Sequence, residues 1–255
     1  MFRDVQGKRW TMAAQGPGRR ARVRQATLAE IRAVARRLLI EQGSAAVTIN
    51  AVAREMGMSG PALYHYFAGH EELVTAVTVD FFRELTAEME AARDACPPGD
   101  HGRRLLATCR AMRGWAIAHR AEFGWMFASP ISGGPRPGSP RDMAGHAFGE
   151  VFFEEMAELW RTRPFPLPAP ERLDPAIREQ LRDFAAEHAA GVPVEAVHVF
   201  LTCWIRLYGL LCMEVLNQLD FAYSDLGPVF EECLRELAPV LGIDYDAATG
   251  AVAAS

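Results

Sequence analysis

The chain has 255 residues, half of them hydrophobic, which is enough for one large domain or two small ones with a packed core. Its five cysteines include no C-x-x-C pair, and this indicates reduced thiols in a cytoplasmic protein rather than a disulfide framework or a zinc site. Charged residues interrupt the long apolar runs, and residues 1–24 contain no apolar segment. We therefore expect neither a membrane span nor a secretory signal.

The charge of −5 is unevenly distributed along the chain. Residues 1–70 carry 11 basic and 4 acidic residues, whereas residues 71–255 carry 16 basic and 28 acidic ones. A basic first part joined to an acidic body favours binding of a polyanion by the first part alone. A basic tail that only increases solubility would produce the same distribution, so charge leaves both interpretations open.

Apolar spacing predicts helices along the whole chain, and no stretch alternates with the period of a strand. Residues 1–24 lack periodicity and are expected to form a disordered arm. Thr27-Leu28-Ala29-Glu30 has the capping-box pattern and predicts a helix that ends at Gly43. The further predicted helices are 48–56, 60–67, 70–93, 101–118, 121–128, 141–161, 175–189, 193–220 and 225–241. Two proline-rich segments, 129–141 and 163–170, are expected to be mobile loops.

Residues 47–67 have the pattern of two short helices joined by a tight turn. Thr48 is placed to cap the first helix, and Gly57 supplies the left-handed residue that ends it. Ser59 caps the second helix, in which Pro61 occupies the first turn without loss of a hydrogen bond. This arrangement predicts a helix-turn-helix whose second helix enters the DNA major groove. Helix pairs of this kind also occur in protein cores, but here the motif coincides with the basic flank.

Residues 48–73 resemble the DNA-binding domain of the TetR/AcrR family. The likeness is carried by Val52-Ala53, Gly57-Met58-Ser59, Leu63-Tyr64-His65-Tyr66-Phe67 and Glu71-Glu72-Leu73. His70 stands where the family pattern has a lysine. Residues 110–130 and 200–234 resemble the C-terminal type of that family known as the WHG domain, with Tyr208 in place of the histidine of its motif.

The resemblance implies that the start of the second helix, the aromatic residues after it and the basic flank contact DNA. The residues expected there are Thr48, Ser59, Gly60, Pro61, Ala62, Tyr64, His65, Tyr66, His70, Arg22 and Arg24. Gly60 and Ala62 lack hydrogen-bonding side chains and would allow close backbone approach or touch a thymine methyl. Tyr64 would either contact a phosphate or be partly buried under the first helix. The arginines would enter a minor groove or add non-specific affinity.

The body beyond residue 101 contains no catalytic signature, so we expect no enzyme, no cofactor and no metal. The single Glu195-x-x-His198 pair is only part of what a di-iron bundle requires. The interior is rich in aromatic residues and methionine, and the resemblance to ligand-gated repressors implies an apolar pocket there for a small molecule, although an ordinary core would have the same composition. The residues expected to line this pocket are Trp115, Phe123, Met126, Phe127, Phe152, Met156, Trp204, Tyr208 and Glu214. Glu214 would either prefer a cationic ligand or pair with an arginine.

These features predict an all-α protein with an N-terminal three-helix helix-turn-helix domain and a larger helical domain for ligand binding and dimerisation. The expected divisions are an arm at 1–24, the DNA-binding domain at 25–70, a linking helix at 70–93, the body at 94–243 and a disordered tail at 244–255. The expected function is that of a homodimeric repressor that binds a palindromic operator in double-stranded DNA and is released by a small-molecule effector. The alternative is an all-α small-molecule binding protein or enzyme whose helix-turn-helix is not functional.

Overall fold

The structure is a computed structural model and describes residues 18–127 and 136–250. All regular elements within these two stretches are helical, which confirms the predicted all-α class. The α-helices are α1 Arg19–Gln42, α2 Ile49–Glu55, α3 Gly60–Leu63, α4 His70–Asp94, α5 His101–Ala118, α6 Arg120–Phe127, α7 Pro140–Thr162, α8 Pro175–His188, α9 Val194–Val215, α10 Gly227–Leu237 and α11 Tyr245–Thr249. Short 3-10 turns lie at Ser44–Ala46, Pro170–Arg172 and Ala238–Leu241.

Helix α1 begins earlier than its sequence pattern predicts. The helix runs from Arg19, so the prediction of a disordered arm is wrong for residues 19–24, while residues 1–17 lie outside the described part of the chain. Thr27 is not a cap: its hydroxyl donates to the carbonyl of Val23 at 3.1 Å inside the helix. The capping-box pattern predicts the wrong helix start here, because a Ser or Thr hydroxyl inside a helix can also donate to the backbone carbonyl one turn earlier.

Helices α1 to α3 form a compact unit through a few fully buried apolar residues. On α1 these are Ile31, Ala35, Leu38 and Leu39, and they meet Ile49, Val52, Ala53, Leu63 and Phe67 in one continuous core. Gly57 ends α2 with φ of +65°, the left-handed conformation that its position in the turn requires. The second short helix is only one turn long, Gly60–Leu63, followed by a turn through Tyr66.

The long helix α4 connects this unit to the body and packs against α1, α5, α6 and α7. Three carboxylates in the body are almost completely buried, and each pairs with an arginine from another helix. The pairs are Glu122 with Arg36, Glu155 with Arg104 and Glu214 with Arg113. A buried carboxylate is tolerated when a cation and hydrogen bonds compensate the water it has lost.

Helix α9 corrects the expectation that charges break every long apolar run. By length and composition it is apolar enough to cross a membrane, and only a third of its most apolar window is buried in the chain. Its charged residues are compensated elsewhere in the protein: Arg206 pairs with Glu236 and Glu214 with Arg113. The helix also ends at Val215, five residues before the predicted end, and Asn217 then adopts a positive φ of 54°.

Two segments expected to be loose are held by packing. In the proline-rich segment 163–170, Phe165 is 3% exposed and its ring lies 5.0 Å from that of Trp160. In the tail predicted from residue 244, helix α11 is present, and the Tyr245 hydroxyl donates to Glu231 at 2.5 Å. Residues 251–255 and most of the loop predicted at 129–141 lie outside the described residues.

Candidate nucleic-acid interface

Two hydroxyl residues set the geometry of the helix-turn-helix. Thr48 caps α2 by accepting the amide of Ala51 at 3.1 Å, and Ser59 caps α3 by accepting the amide of Ala62 at 3.3 Å. Both caps were predicted from the sequence. Because a hydroxyl that accepts one hydrogen bond can still donate another, each exposed cap has a proton available for a phosphate oxygen.

Helix α3 and the turn that follows it, residues 60–66, form what we call the recognition turn, and it presents exposed polar and aromatic groups. Pro61, Tyr64 and His65 are exposed, and the Tyr64 side chain is 52% exposed, so the alternative of burial under the first helix does not apply. Tyr66 is half-buried, and its ring lies beside Arg24 of α1. Besides the two caps, the exposed polar side chains that can meet a base edge or a phosphate here are those of Tyr64 and His65.

Gly60 and Ala62, which were predicted to allow close approach to DNA, are half-buried. A Cβ added at Gly60 would lie 3.1 Å from Oδ1 of Asn50, which is tighter than ordinary contacts. The glycine thus lets the start of α3 lie directly against the side chain of Asn50 on α2. The packing of α3 against α2 therefore explains the small residue at this position without any contact with DNA.

Arg24 is joined to the recognition turn rather than lying on a separate arm. Its guanidinium donates to the carbonyl of His65 at 3.3 Å and lies 5.3 Å from the ring centroid of Tyr66. Arg22 is exposed on the same helix, one turn from its N-terminus. The predicted basic flank is therefore brought beside the recognition turn by α1.

His70 is the first residue of α4, and its Nε2 lies 2.7 Å from the carbonyl oxygen of Val47. A carbonyl only accepts, so Nε2 donates in this contact. The bond ties the start of α4 to the residue immediately before the Thr48 cap. His70 remains exposed at its other edge, but one of its two ring nitrogens is already used inside the protein.

Two further candidates for DNA contact were missed in the sequence. Asn50 and Arg54 are exposed on α2, four residues apart and therefore on one face of the helix. In a helix-turn-helix the first helix crosses the phosphate backbone, where an amide and a guanidinium are suitable donors. The i, i+4 spacing was the available signal.

The structure brings five of the predicted ligand-binding residues into one aromatic cluster. Trp204 and Tyr208 stack with ring centroids 5.1 Å apart, and Phe152 lies 4.8 Å from Trp204. Phe127 and Phe123 lie 5.5 Å and 6.1 Å from Tyr208. Burial raises the pKa of Tyr208, so its hydroxyl is neutral at ordinary pH. Met126 and Met156 are buried in the same core.

The other two predicted ligand-binding residues, Trp115 and Glu214, are hydrogen-bonded to side chains of other helices. Trp115 donates from its indole nitrogen to Glu84 at 3.3 Å. Glu214 receives two hydrogen bonds from Arg113, at 2.6 and 2.9 Å, so its partner is an arginine rather than a cationic ligand. Arg113 lies on α5, so the spacing of residues within α9 could not predict that it pairs with Glu214.

An apolar void lies between α5, α9 and α10, beside this aromatic cluster. Its volume is about 40 Å³, and Phe152 and Trp204 are the two members of the predicted ligand set that line it. A pocket for a drug-sized ligand has roughly ten times that volume. Among the described residues no group of three or more potential ligands could hold a metal ion, and Glu195 pairs with Arg178.

The comparisons with known proteins agree with this arrangement. The model of bacterial regulatory proteins of the tetR family matches residues 31–77. The model of the tetracyclin repressor-like C-terminal domain matches residues 105–237, which is more than half of the chain. The first match covers the helix-turn-helix, and the second covers most of the body. The chain belongs to the TetR family and is a transcriptional regulator of that family.

The similarity to known proteins extends over most of the chain. The HTH-type transcriptional regulators Rv1816 of Mycobacterium tuberculosis and Mb1846 of Mycobacterium bovis are each 29% identical over 232 residues, covering 88% of this chain and 96% of theirs. The crystal structure of the regulatory protein SCO4313 has a TM-score of 0.64 at 29% identity, with 88% of this chain and all of that chain covered. RolR, solved with resorcinol, has the same fold with a TM-score of 0.52 at 16% identity, over 92% and 97% of the two chains.

Proposed function

We propose that this protein is a homodimeric repressor that binds a palindromic operator and is released when a small molecule binds its body. The observation that carries the proposal is the recognition turn: a capped, one-turn helix with Tyr64 and His65 exposed, flanked by Arg22 and Arg24 of α1. Hydroxyl caps, a histidine, a tyrosine and guanidinium groups on one surface are the donors that phosphate and base edges require.

Dimerisation is supported by the last long helices. Ile205 and Met213 on α9 are 68% and 40% exposed, and Leu216 and Val240, which follow α9 and α10, are each 43% exposed. Exposed apolar side chains on α9 and just beyond α9 and α10 fit a second copy of the chain, which would form a four-helix interface about a two-fold axis. A two-fold dimer reads a palindrome because its two recognition helices are related by the same symmetry.

The small-molecule effector is supported by the aromatic cluster around Tyr208 and by a protein of the same fold, RolR, whose structure contains resorcinol. The cluster offers apolar and aromatic surface with a single neutral hydroxyl. An uncharged, flat aromatic molecule suits this chemistry, since the charged groups nearby are already paired. Binding would require the rings to separate, because the void beside them is small.

The experiment that tests DNA binding is selection of duplexes from a random-sequence library by the wild-type protein. We expect enrichment of a palindrome and binding of two chains per duplex. His65→Ala, which keeps the backbone carbonyl that Arg24 uses, should weaken binding to the enriched duplex about tenfold or more, as expected for loss of a base contact. His146→Ala, an exposed histidine on α7, is the matched control and should bind as the wild type does. Failure to enrich any sequence would refute the proposal.

A further inference from the structure

Arg36 lies on α1 and has contacts with both the DNA-binding unit and the body. Its Nη1 and Nη2 donate to the two carboxylate oxygens of Glu84 on α4, at 2.7 and 3.2 Å. Its Nε donates to Glu122 on α6 at 2.9 Å. Its Nη2 also lies 3.3 Å from Nδ1 of His119, and the guanidinium stacks 5.3 Å from the ring centroid of Phe81.

Glu122 is the member of this group that depends on Arg36 most. Its side chain is 3% exposed, and its partners among the described residues are Arg36 and, at 3.6 Å, Nδ1 of His119. The nitrogen atoms of His119 lie 3.6 Å from the carboxylate oxygens of Glu122 and Glu84, which is beyond hydrogen-bond distance. The hydrogen bond that compensates the buried carboxylate of Glu122 therefore comes from Arg36.

The two ends of this contact belong to different functional parts. Arg36 lies within the stretch matched by the N-terminal family model, and Glu122 lies within the stretch matched by the C-terminal one. Helix α6 also begins directly after α5 and ends with Phe127 in the aromatic cluster. Any displacement of Phe127 that moved α6 would pull a buried carboxylate away from its arginine.

Such a separation is costly because a buried carboxylate without its cation has lost both water and its partner. The same guanidinium is held by Glu84, and hydrogen bonding to Arg36 lowers the pKa of Glu84, which therefore stays ionised. Arg36 thereby joins α1 to both α4 and α6, and Arg32 adds an ion pair from α1 to Asp80 of α4. Other residues of α1, among them Ala35 and Leu39, belong to the core shared with α2 and α3. The arrangement allows α1 to follow α6.

We propose that Arg36 is a positioning residue through which α6 of the body sets the placement of α1, and with it the DNA affinity of the recognition turn. The proposal rests on the proposed function, since it names the connection by which an effector in the body would act on DNA binding. It assigns to Arg36 and Glu122 a role in coupling rather than in contact with DNA or effector. By thermodynamic reciprocity, whatever α6 does to DNA affinity, bound DNA must do to α6.

The test uses this reciprocity and needs no effector. Hydrogen exchange is measured by mass spectrometry on the full chain, free and with a duplex enriched by the wild-type protein from a random-sequence library. In the wild type, DNA should slow exchange both at residues 49–66, where it binds, and at residues 120–127 of α6, the latter by about fivefold or more. In Glu122→Gln the slowing at 49–66 should remain and the slowing at 120–127 should disappear.

A matched control separates coupling from the general loss of an ion pair. Arg37, the next residue of α1, pairs with Glu55 at 2.8 Å inside the DNA-binding unit. Glu55→Gln should leave the slowing at α6 as in the wild type. If Glu122→Gln does not fold, the double substitution Arg36→Met and Glu122→Met removes both charges together, leaves no buried unpaired ion and should show the same loss at α6.

Three results would overturn the inference. One is slowing at α6 that is equal in the wild type and in the variants of the Arg36–Glu122 pair. Another is slowing at 49–66 with none at α6 in the wild type. The third is the absence of slowing at 49–66 with every duplex, which would overturn the proposed function and this inference with it. It differs from the second result, in which residues 49–66 are slowed and only α6 is not.

Discussion

Arg113 and Glu214 lie 101 positions apart in the chain and meet in a two-bond ion pair that joins α5 to α9. Glu214 is 5% exposed, and the arginine also lies 5.2 Å from the ring centroid of Phe230 on α10. One guanidinium therefore connects three helices of the body. The acid on the apolar helix α9 is a structural partner of α5.

Removal of one member of this pair should destabilise the protein strongly. Glu214→Ala leaves the guanidinium of Arg113 without its carboxylate in a mostly buried position, and we expect a loss of about 3 kcal/mol in the free energy of unfolding. The double substitution Arg113→Met and Glu214→Leu should lose much less, because no unpaired charge remains. Urea denaturation followed by circular dichroism measures both. Equal losses in the single and double variants would contradict the prediction.

The same substitution at two glycines should have opposite effects on stability. Gly57 has φ of +65° and open space around its Cα, so Gly57→Ala forces a side chain into the left-handed region and should cost about 1 kcal/mol. Gly114 lies inside α5, also with open space, and Gly114→Ala should stabilise the protein by about 0.5 to 1 kcal/mol. Thermal unfolding of the two variants checks the signs. A destabilising Gly114→Ala would show that space around this helix is needed for packing.

Two thiols should be protected from alkylation in the native protein. Burial raises the pKa of Cys109 to about 12 and that of Cys203 to about 11, from an ordinary value of 9.0. At pH 8 iodoacetamide should therefore modify both far more slowly in the native chain than in guanidinium chloride, since the thiolate is the reactive form. Peptide mapping by mass spectrometry gives the rate at each site. Native rates equal to those of the unfolded chain would contradict the burial of these thiols.

The same shifts make stability depend on pH at the alkaline end. Above pH 9 the thiols of the unfolded chain lose their protons while those of the folded chain keep them, so the unfolded state binds fewer protons. The contribution of these two thiols to stability is complete below pH 9 and is lost as the pH rises towards 11 and 12. Cys109→Ala and Cys203→Ala should each reduce the fall in denaturation midpoint between pH 8.5 and 10.5.

A charge at an exposed apolar position of α9 should separate the proposed dimer. Ile205→Arg places a guanidinium in the centre of an apolar interface, and we expect a monomer by light scattering at micromolar concentration together with a loss of affinity for the selected duplex. Met143→Arg is the control, because Met143 on α7 is exposed to a similar extent, 64% against 68%. A dimer that survives Ile205→Arg unchanged would place the interface elsewhere.

Neighbouring residues are sufficient to predict the caps, the turn and most helix ends of this protein. The caps at Thr48 and Ser59 and the left-handed Gly57 are read from neighbouring residues, because capping and turn geometry act over three or four positions. The same holds for most helix boundaries and for the exposure of His65 beside the turn. The start of α1 was misjudged because Thr27 satisfies its hydroxyl within the helix, which the local pattern does not distinguish from a cap.

Which distant groups meet depends on how the helices pack. Helical periodicity does not identify the partner of a residue on another helix, because that partner depends on where the helices cross. This applies to the pairs Glu214–Arg113 and Glu122–Arg36 and to the close approach of Gly60 to Asn50. The aromatic residues of α6, α7 and α9 pack against one another, because side-chain volume in a core is filled jointly by several helices. Local interactions therefore determine where each helix begins and ends, and packing determines which side chains those helices bring together.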